Sequence, residues 1–205
     1  MKILLHSCCA PCTTYCLNTL RADGHEVSGY FFNPNIHPYT EFRRRLDTFR
    51  EYCSAVRHDA TIDETYGLRQ FLSGIGSDVA ARCGQCYRMR LYPAARLARE
   101  LGADAFTTTL LISPYQDQEL LVRAAEEAAQ TEGVQFAYYD FRSGYRDSVR
   151  ISREMGLYRQ PYCGCIFSEE ERYSPARRCI ARHAGGHCTD AAPASVREDD
   201  RIGPC

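Results

Sequence analysis

Apolar runs of strand length alternate with helix-patterned stretches along this chain, and that alternation narrows the fold more than any other feature. Ile3-Leu4-Leu5 has the character of a buried strand. Tyr15, Leu17 and Leu20 beyond it suit a helix opened by a threonine cap at Thr13 or Thr14. Residues 27–32 read as a second strand. Residues 40–56 read as a helix with Phe42, Leu46, Phe49, Tyr52, Cys53 and Val56 on one face. Arg43, Arg44, Arg45 and Arg50 then fall largely on its polar, solvated side. A weak strand near 60–62 and a helix over 66–75 follow. A long helix runs from Cys83 to about Leu101, with Gly102 as its C-cap. A strand over 105–110, a helix over 117–132 closed by Gly133, a strand over 134–141 and a helix over 146–155 complete the pattern. Such alternation with short links predicts an α/β fold, a Rossmann-like parallel sheet flanked by helices with right-handed crossovers. Ligands of these sheets bind outside the carboxyl ends of the strands. The loops expected there hold residues 8–12, 33–37, 109–116 and 140–142.

The first of those loops carries Cys8, Cys9 and Cys12 between strand and helix. Backbone N–H groups at such a turn favour anions, and the same field lowers thiol pKa values. Thiolates bind soft metals or attack electrophiles, whereas a single buried cysteine packs as a small inert hydrophobe. The chain has 12 cysteines, and their clustering favours metal over bridges. Cys83 and Cys86 stand at a helix start, and Cys163 and Cys165 flank a glycine. Cys16, Cys53, Cys179, Cys188 and Cys205 stand apart and read as packing or tail residues.

Four thiolates hold an iron–sulfur cluster; zinc needs as few ligands and explains fewer of these cysteines. In Cys83-Gly84-Gln85-Cys86, Gly84 permits close approach, and a thioredoxin-like redox pair is the rival reading. Cys163 and Cys165 can complete a metal site or supply a redox thiol pair, and a disulfide across that spacing is strained and reducible. Tyr158-Arg159-Gln160-Pro161-Tyr162 mixes aromatic and arginine side chains, which suits a stacked base and a phosphate as well as it suits a core segment. His37 reads equally as structural or catalytic, and Asp140 as a ligand, a proton donor or a partner of Arg142.

With 205 residues, 44% of them hydrophobic, the chain is long enough for one domain over 1–173, followed by a flexible tail over 174–205 rich in Gly, Pro, Ser and acidic residues. A net charge of −1 gives no global basic field. No membrane-length apolar run appears, and free clustered thiols suit a cytoplasmic location. A glycine-rich dinucleotide fingerprint and a Walker loop are both absent, which argues against NAD and kinase chemistry.

Taken together, His6-Ser-Cys-Cys-Ala-Pro-Cys12, Phe32-Asn-Pro-Asn-Ile-His-Pro38 with Glu41, Arg82-Cys-Gly-Gln-Cys-Tyr87, Thr107-Thr-Thr-Leu-Leu111 with Ser113-Pro-Tyr-Gln116, and Gly156-Leu-Tyr-Arg-Gln-Pro-Tyr-Cys-Gly-Cys165 resemble the QueH-type, cobalamin-independent epoxyqueuosine reductase family over residues 2–172. The resemblance implies an adenine-nucleotide alpha-hydrolase-like fold. It also implies reduction of epoxyqueuosine to queuosine in the tRNA anticodon loop, the last step of queuosine formation. A [4Fe–4S] cluster and an additional iron are implied as cofactors, with ligands from Cys8, Cys9, Cys83, Cys86 and Cys12, the last on the iron. On this reading Asp140, His37 and Tyr115 are candidate proton donors. Arg90, Arg142, Arg159 and Tyr158 are candidate tRNA contacts, and a ferredoxin- or flavodoxin-like protein is the electron donor. Two alternatives keep the same cysteines: an ATP-dependent tRNA sulfur-transfer enzyme, which lacks its usual Ser-Gly-Gly run here, and a zinc-stabilised binding module.

Overall fold

A computed structural model describes residues 1–174. Five parallel strands form one sheet: β1 (Lys2–His6), β2 (Glu26–Phe31), β3 (Ala60–Ile62), β4 (Ala105–Thr108) and β5 (Gln135–Phe136). Their spatial order is β3-β2-β1-β4-β5. This is the doubly wound order, in which the direction of winding reverses between β1 and β4. The helices are α1 (Ala10–Ala22), α2 (Tyr39–Ala55), α3 (Leu68–Ile75), α4 (Arg82–Glu100), α5 (Gln118–Glu132), α6 (Tyr145–Glu154) and α7 (Ile166–Tyr173). α1 packs against α2 and α6, whereas α4 packs against α5 and across β1 and β4. The expected α/β class is therefore the observed one.

β1 is the central strand, and Ile3, Leu4 and Leu5 are buried on both of its faces. That explains an unbroken apolar run in place of alternation. Each such side chain contributes roughly 1.5–3 kcal/mol when taken from water. His6 ends the strand fully buried, with Nδ1 2.9 Å from Thr108 Oγ1 and Nε2 3.2 Å from the Phe32 carbonyl oxygen. A carbonyl oxygen only accepts, so Nε2 carries the proton and Nδ1 accepts from the hydroxyl. Burial lowers the pKa of His6 to about 4, which keeps it neutral behind the cysteine turn.

Three details differ from the sequence reading. α1 begins at Ala10 with Cys9 as its N-cap residue, so Cys12 lies inside the first turn. Thr13 and Thr14 turn their hydroxyls back onto the carbonyls of Cys9 and Pro11 and do not open the helix. The last strand, expected over 134–141, is confined to Gln135–Phe136. Beyond the bond from the Ala137 N–H to the Phe106 carbonyl the chain leaves the sheet, while β4 runs two residues further to Thr108 before its own 3₁₀ turn, Thr109–Ile112. Third, Arg45 is buried and not on a solvated face. Cys179, Cys188, Cys205 and all but the first residue of the expected tail lie outside the described residues.

Candidate metal centre

Because all five strands are parallel, the segments that follow β1, β2, β4 and β5 leave the same edge of the sheet. Ser7 extends the β1–β2 ladder, its N–H donating to the Tyr30 carbonyl at 2.8 Å, and the Asn33 amide holds the Ser7 carbonyl at 2.9 Å. The next residue crosses to the other neighbour. Cys8 N–H donates to Thr109 Oγ1 at 3.0 Å, and that hydroxyl lies 3.2 Å from Cys8 Sγ. Cys8 therefore sits where the winding reverses, the crevice at which doubly wound sheets bind ligands.

The Sγ atoms of Cys8, Cys9 and Cys12 lie within 4.8 Å of one another. Cys8 and Cys9 sulfurs are 3.8 Å apart, close to the edge of a tetrahedron built on metal–sulfur bonds of ~2.3 Å. The donor set and its spacing thus fit a thiophilic ion. Hydrogen bonds from Cys12 and Cys9, helped by Thr109, hold the Cys8 thiol well below the ordinary range. Burial pushes Cys9 up, and its bond to Cys8 pushes Cys12 up. The three sulfurs thus differ in how readily they lose a proton, with Cys8 first, and a bound cation would favour the thiolate form of each.

Two other cysteine stretches come to this turn. Gln160 donates from Nε2 to Cys9 Sγ at 3.0 Å, which ties the segment before Cys163 to the start of α1. Arg45 holds the following loop by donating to the carbonyls of Tyr162 at 3.0 Å and Cys163 at 2.9 Å. Glu41 pairs with Arg45 at 2.7 Å and accepts from the Tyr158 hydroxyl at 2.6 Å. His37 N–H donates to the Gly164 carbonyl at 2.7 Å. Cys165 caps α7.

From the other side, Cys83 and Cys86 lie on the first turns of α4, and Arg90 donates from Nη2 to Cys86 Sγ at 3.2 Å. The Arg90 charge also acts on Cys8 and Cys83, and that of Arg45 on Cys9 and Cys163. Burial raises Cys83, and raises Cys86 to about 12 against the pull of Arg90. All nine cysteines among the described residues are free thiols, Cys163 and Cys165 included.

Several predicted site residues stand differently. Arg90 is not at the surface for a phosphate; only 2% of it is exposed, and it faces sulfur. Gly84 gives no close approach, since a Cβ there would meet Leu120 at 3.7 Å and Arg88 Nη1 at 3.8 Å, ordinary contact distances. Asp140 is bound by the Arg142 guanidinium at 2.7 and 2.6 Å, which holds its carboxyl below the usual range. His37 is fully buried against the rings of Tyr66 and Phe71, and burial lowers it to about 4. Tyr115 is 45% exposed and meets Tyr145 edge to face. Arg159 is half-buried, and Tyr158 is covered by Arg44 at 3.7 Å from its ring centre.

Thr109, Gln160, Arg45 and Arg90 are the contacts that sequence reasoning missed as part of this centre. For two of them a signal existed. Arg45 follows Glu41 by four residues and Arg90 follows Cys86 by four, the helical spacing at which side chains meet.

The chain matches the protein-family model described as "Epoxyqueuosine reductase QueH" over residues 3–171. It is 40% identical over 172 residues to the epoxyqueuosine reductase QueH of Dehalococcoides mccartyi, covering 84% of this chain and 94% of that protein. It is 32% identical over 183 residues to the enzyme of the same name from Thermotoga maritima, covering 83% and 91%. A solved structure, the U34-tRNA thiolase NcsA from Methanococcus maripaludis with its [4Fe-4S] cluster, superposes with a TM-score of 0.48 at 14% identity, covering 92% of this chain and 74% of that one. That likeness is too distant to bear on the site. With a match spanning the sheet and all three cysteine stretches, the chain belongs to the QueH family of epoxyqueuosine reductases.

Proposed function

We propose that this chain is an oxidoreductase that reduces epoxyqueuosine in a tRNA anticodon loop to queuosine, using an iron–sulfur centre held by its cysteines. The observation that supports the reading is the close group of Cys8, Cys9 and Cys12 at the reversal point of the sheet, with Gln160 of the last cysteine stretch bonded to Cys9 and with Arg90, bonded to Cys86, acting also on Cys8. The net reaction removes the epoxide oxygen as water and leaves an alkene, which consumes two electrons and two protons. A [4Fe–4S] cluster with an additional iron supplies electron transfer and a Lewis acid for oxygen. The residues that would hold it are Cys8, Cys9, Cys83 and Cys86, with Cys12 on the additional iron. The electrons come from a ferredoxin- or flavodoxin-like donor.

The remaining work falls to the protein. The modified base must leave its stack to reach a centre at the sheet edge. Buried polar atoms without protein partners border that edge: Gln160 Oε1, Asn33 Oδ1 and both amide atoms of Asn35. Asp140 is held as a carboxylate by Arg142, and neutral His37 is enclosed by aromatic rings. Tyr115, exposed on the loop after β4, keeps the role of proton donor. Arg142 and Arg159 remain the phosphate contacts. The test is a reduction assay with epoxyqueuosine-containing tRNA, a chemical reductant and anaerobically purified protein. Conversion to queuosine is expected for the native chain and its loss for Cys9→Ser; full activity of that variant would contradict the scheme.

A further inference from the structure

Two guanidiniums are buried beside the cysteines, and they are compensated differently. Arg45 has a carboxylate, Glu41, at 2.7 Å, and its other N–H groups meet carbonyl oxygens. Arg90 is 2% exposed; it donates to the Cys86 carbonyl at 3.2 Å and to the Cys86 sulfur at 3.2 Å, and its guanidinium lies 5.9 Å from the centre of the Tyr87 ring. Among the described residues no carboxylate pairs with it; the titratable groups whose fields reach it are the sulfurs of Cys86, Cys163 and Cys8 and the phenol of Tyr87. A buried cation without a counter-charge costs several kcal/mol, so something beside it must be negative. Tyr87 is not that group, because its phenol donates to Gln116 Oε1 at 2.5 Å. The sulfurs remain.

We infer that Arg90 is the fixed counter-charge of the metal centre, a positioning residue that acts through Cys86 to favour the centre's reduced form. This rests on the iron–sulfur reading above. The physical reason is direct. Reduction adds one negative charge to a buried centre, and a guanidinium bonded to a ligand sulfur stabilises that charge more in the reduced state than in the oxidised one. Net charge and hydrogen bonds to sulfur are the levers by which a protein sets such a potential. α4 supplies the geometry, since Cys86 and Arg90 are one helical turn apart and the Arg90 guanidinium lies over the Tyr87 ring.

The test compares the whole chain, purified anaerobically, with Arg90→Gln and Arg90→Lys. Iron and sulfide are counted first, and a wild type without them removes both the cluster reading and this inference. In a loaded wild type the midpoint potential is then titrated by absorbance and paramagnetic resonance. R90Q is expected to keep its metal and to be harder to reduce. Its reduced-to-oxidised ratio at the wild-type midpoint should fall about tenfold, which is about 59 mV for one electron. R90K keeps the charge and should return most of the way. An R90Q potential equal to the wild type overturns the inference and leaves the cluster reading intact. So does an R90K shift as large as that of R90Q. If R90Q does not load, R90K decides: loading at the wild-type potential supports the role of charge, and an empty or shifted R90K overturns it.

Discussion

At the scale of single residues, Glu41 is the carboxylate paired with buried Arg45 among the described residues, and it also accepts from Tyr158. Glu41→Gln leaves a buried cation uncompensated, a change that costs about 3–5 kcal/mol. Urea unfolding of the apo chain should show a loss of that order, and a loss below ~1 kcal/mol would contradict the pairing. Two glycines give opposite expectations. Gly164 has φ +135°, and a Cβ there would stand 3.1 Å from Arg45 Nη1 and 3.2 Å from Ile36. Gly164→Ala should therefore destabilise the chain and displace the Cys163–Cys165 loop. Gly84 sits inside α4, where a Cβ would make only ordinary van der Waals contacts, so Gly84→Ala should add up to about 1 kcal/mol through helix propensity. Matching melting temperatures for the two variants would refute this contrast.

His58 makes stability depend on pH. Burial first, then the Arg21 charge, lowers its folded pKa from 6.5 to about 4. Between those values the unfolded chain binds a proton that the folded chain does not. Stability therefore rises with pH through this window and falls on acidification, by up to ~1.4 kcal/mol per pH unit from this one group. Urea midpoints measured from pH 7 down to 4.5 should drop less steeply for His58→Leu than for the native chain. An unchanged slope would remove the assignment.

Among the elements, β1 is paired on both sides over Ile3–His6, whereas α3 packs against α4. Amides of residues 3–6 should exchange with deuterium most slowly, and those of α3 among the fastest, because opening α3 breaks few buried contacts. Rapid exchange in β1 would contradict the topology. The element scale also shows what could be read beforehand. Strands and helices were legible where side chains repeat with a local period, as in Ile3-Leu4-Leu5 or the Phe42, Leu46, Phe49 face of α2. Their ends were not. The length of β5 depends on where the chain leaves the edge of β4, and the start of α1 depends on Cys9 being extended. Arg45 and Arg90 look solvent-facing to a composition-minded reading. Arg45 meets carbonyls at sequence separations of 117 and 118, which no local pattern encodes.

For the molecule as a whole, the order of the strands turns distant cysteines into neighbours. β1 and β4 are adjacent at the reversal point, so Cys8 meets Thr109. Gln160 joins the last cysteine stretch to Cys9, and Arg90 lies within reach of both Cys86 and Cys8. The cysteine stretches themselves were plain in the sequence; the α/β alternation puts the ends of parallel strands on one edge, and on that edge Cys8, Cys9 and Cys12 form one close group. Among the described residues no helix is long and apolar enough to cross a membrane.

The claim that the separated stretches share one centre is tested most directly by iron and acid-labile sulfide counts on anaerobically purified chain, native and with Cys8→Ser or Cys86→Ser. The account predicts a full [4Fe–4S] complement in the native chain and a large loss of both iron and sulfide in each variant. Native iron and sulfide retained in Cys86→Ser would mean that α4 contributes nothing to the centre, and the account would be wrong.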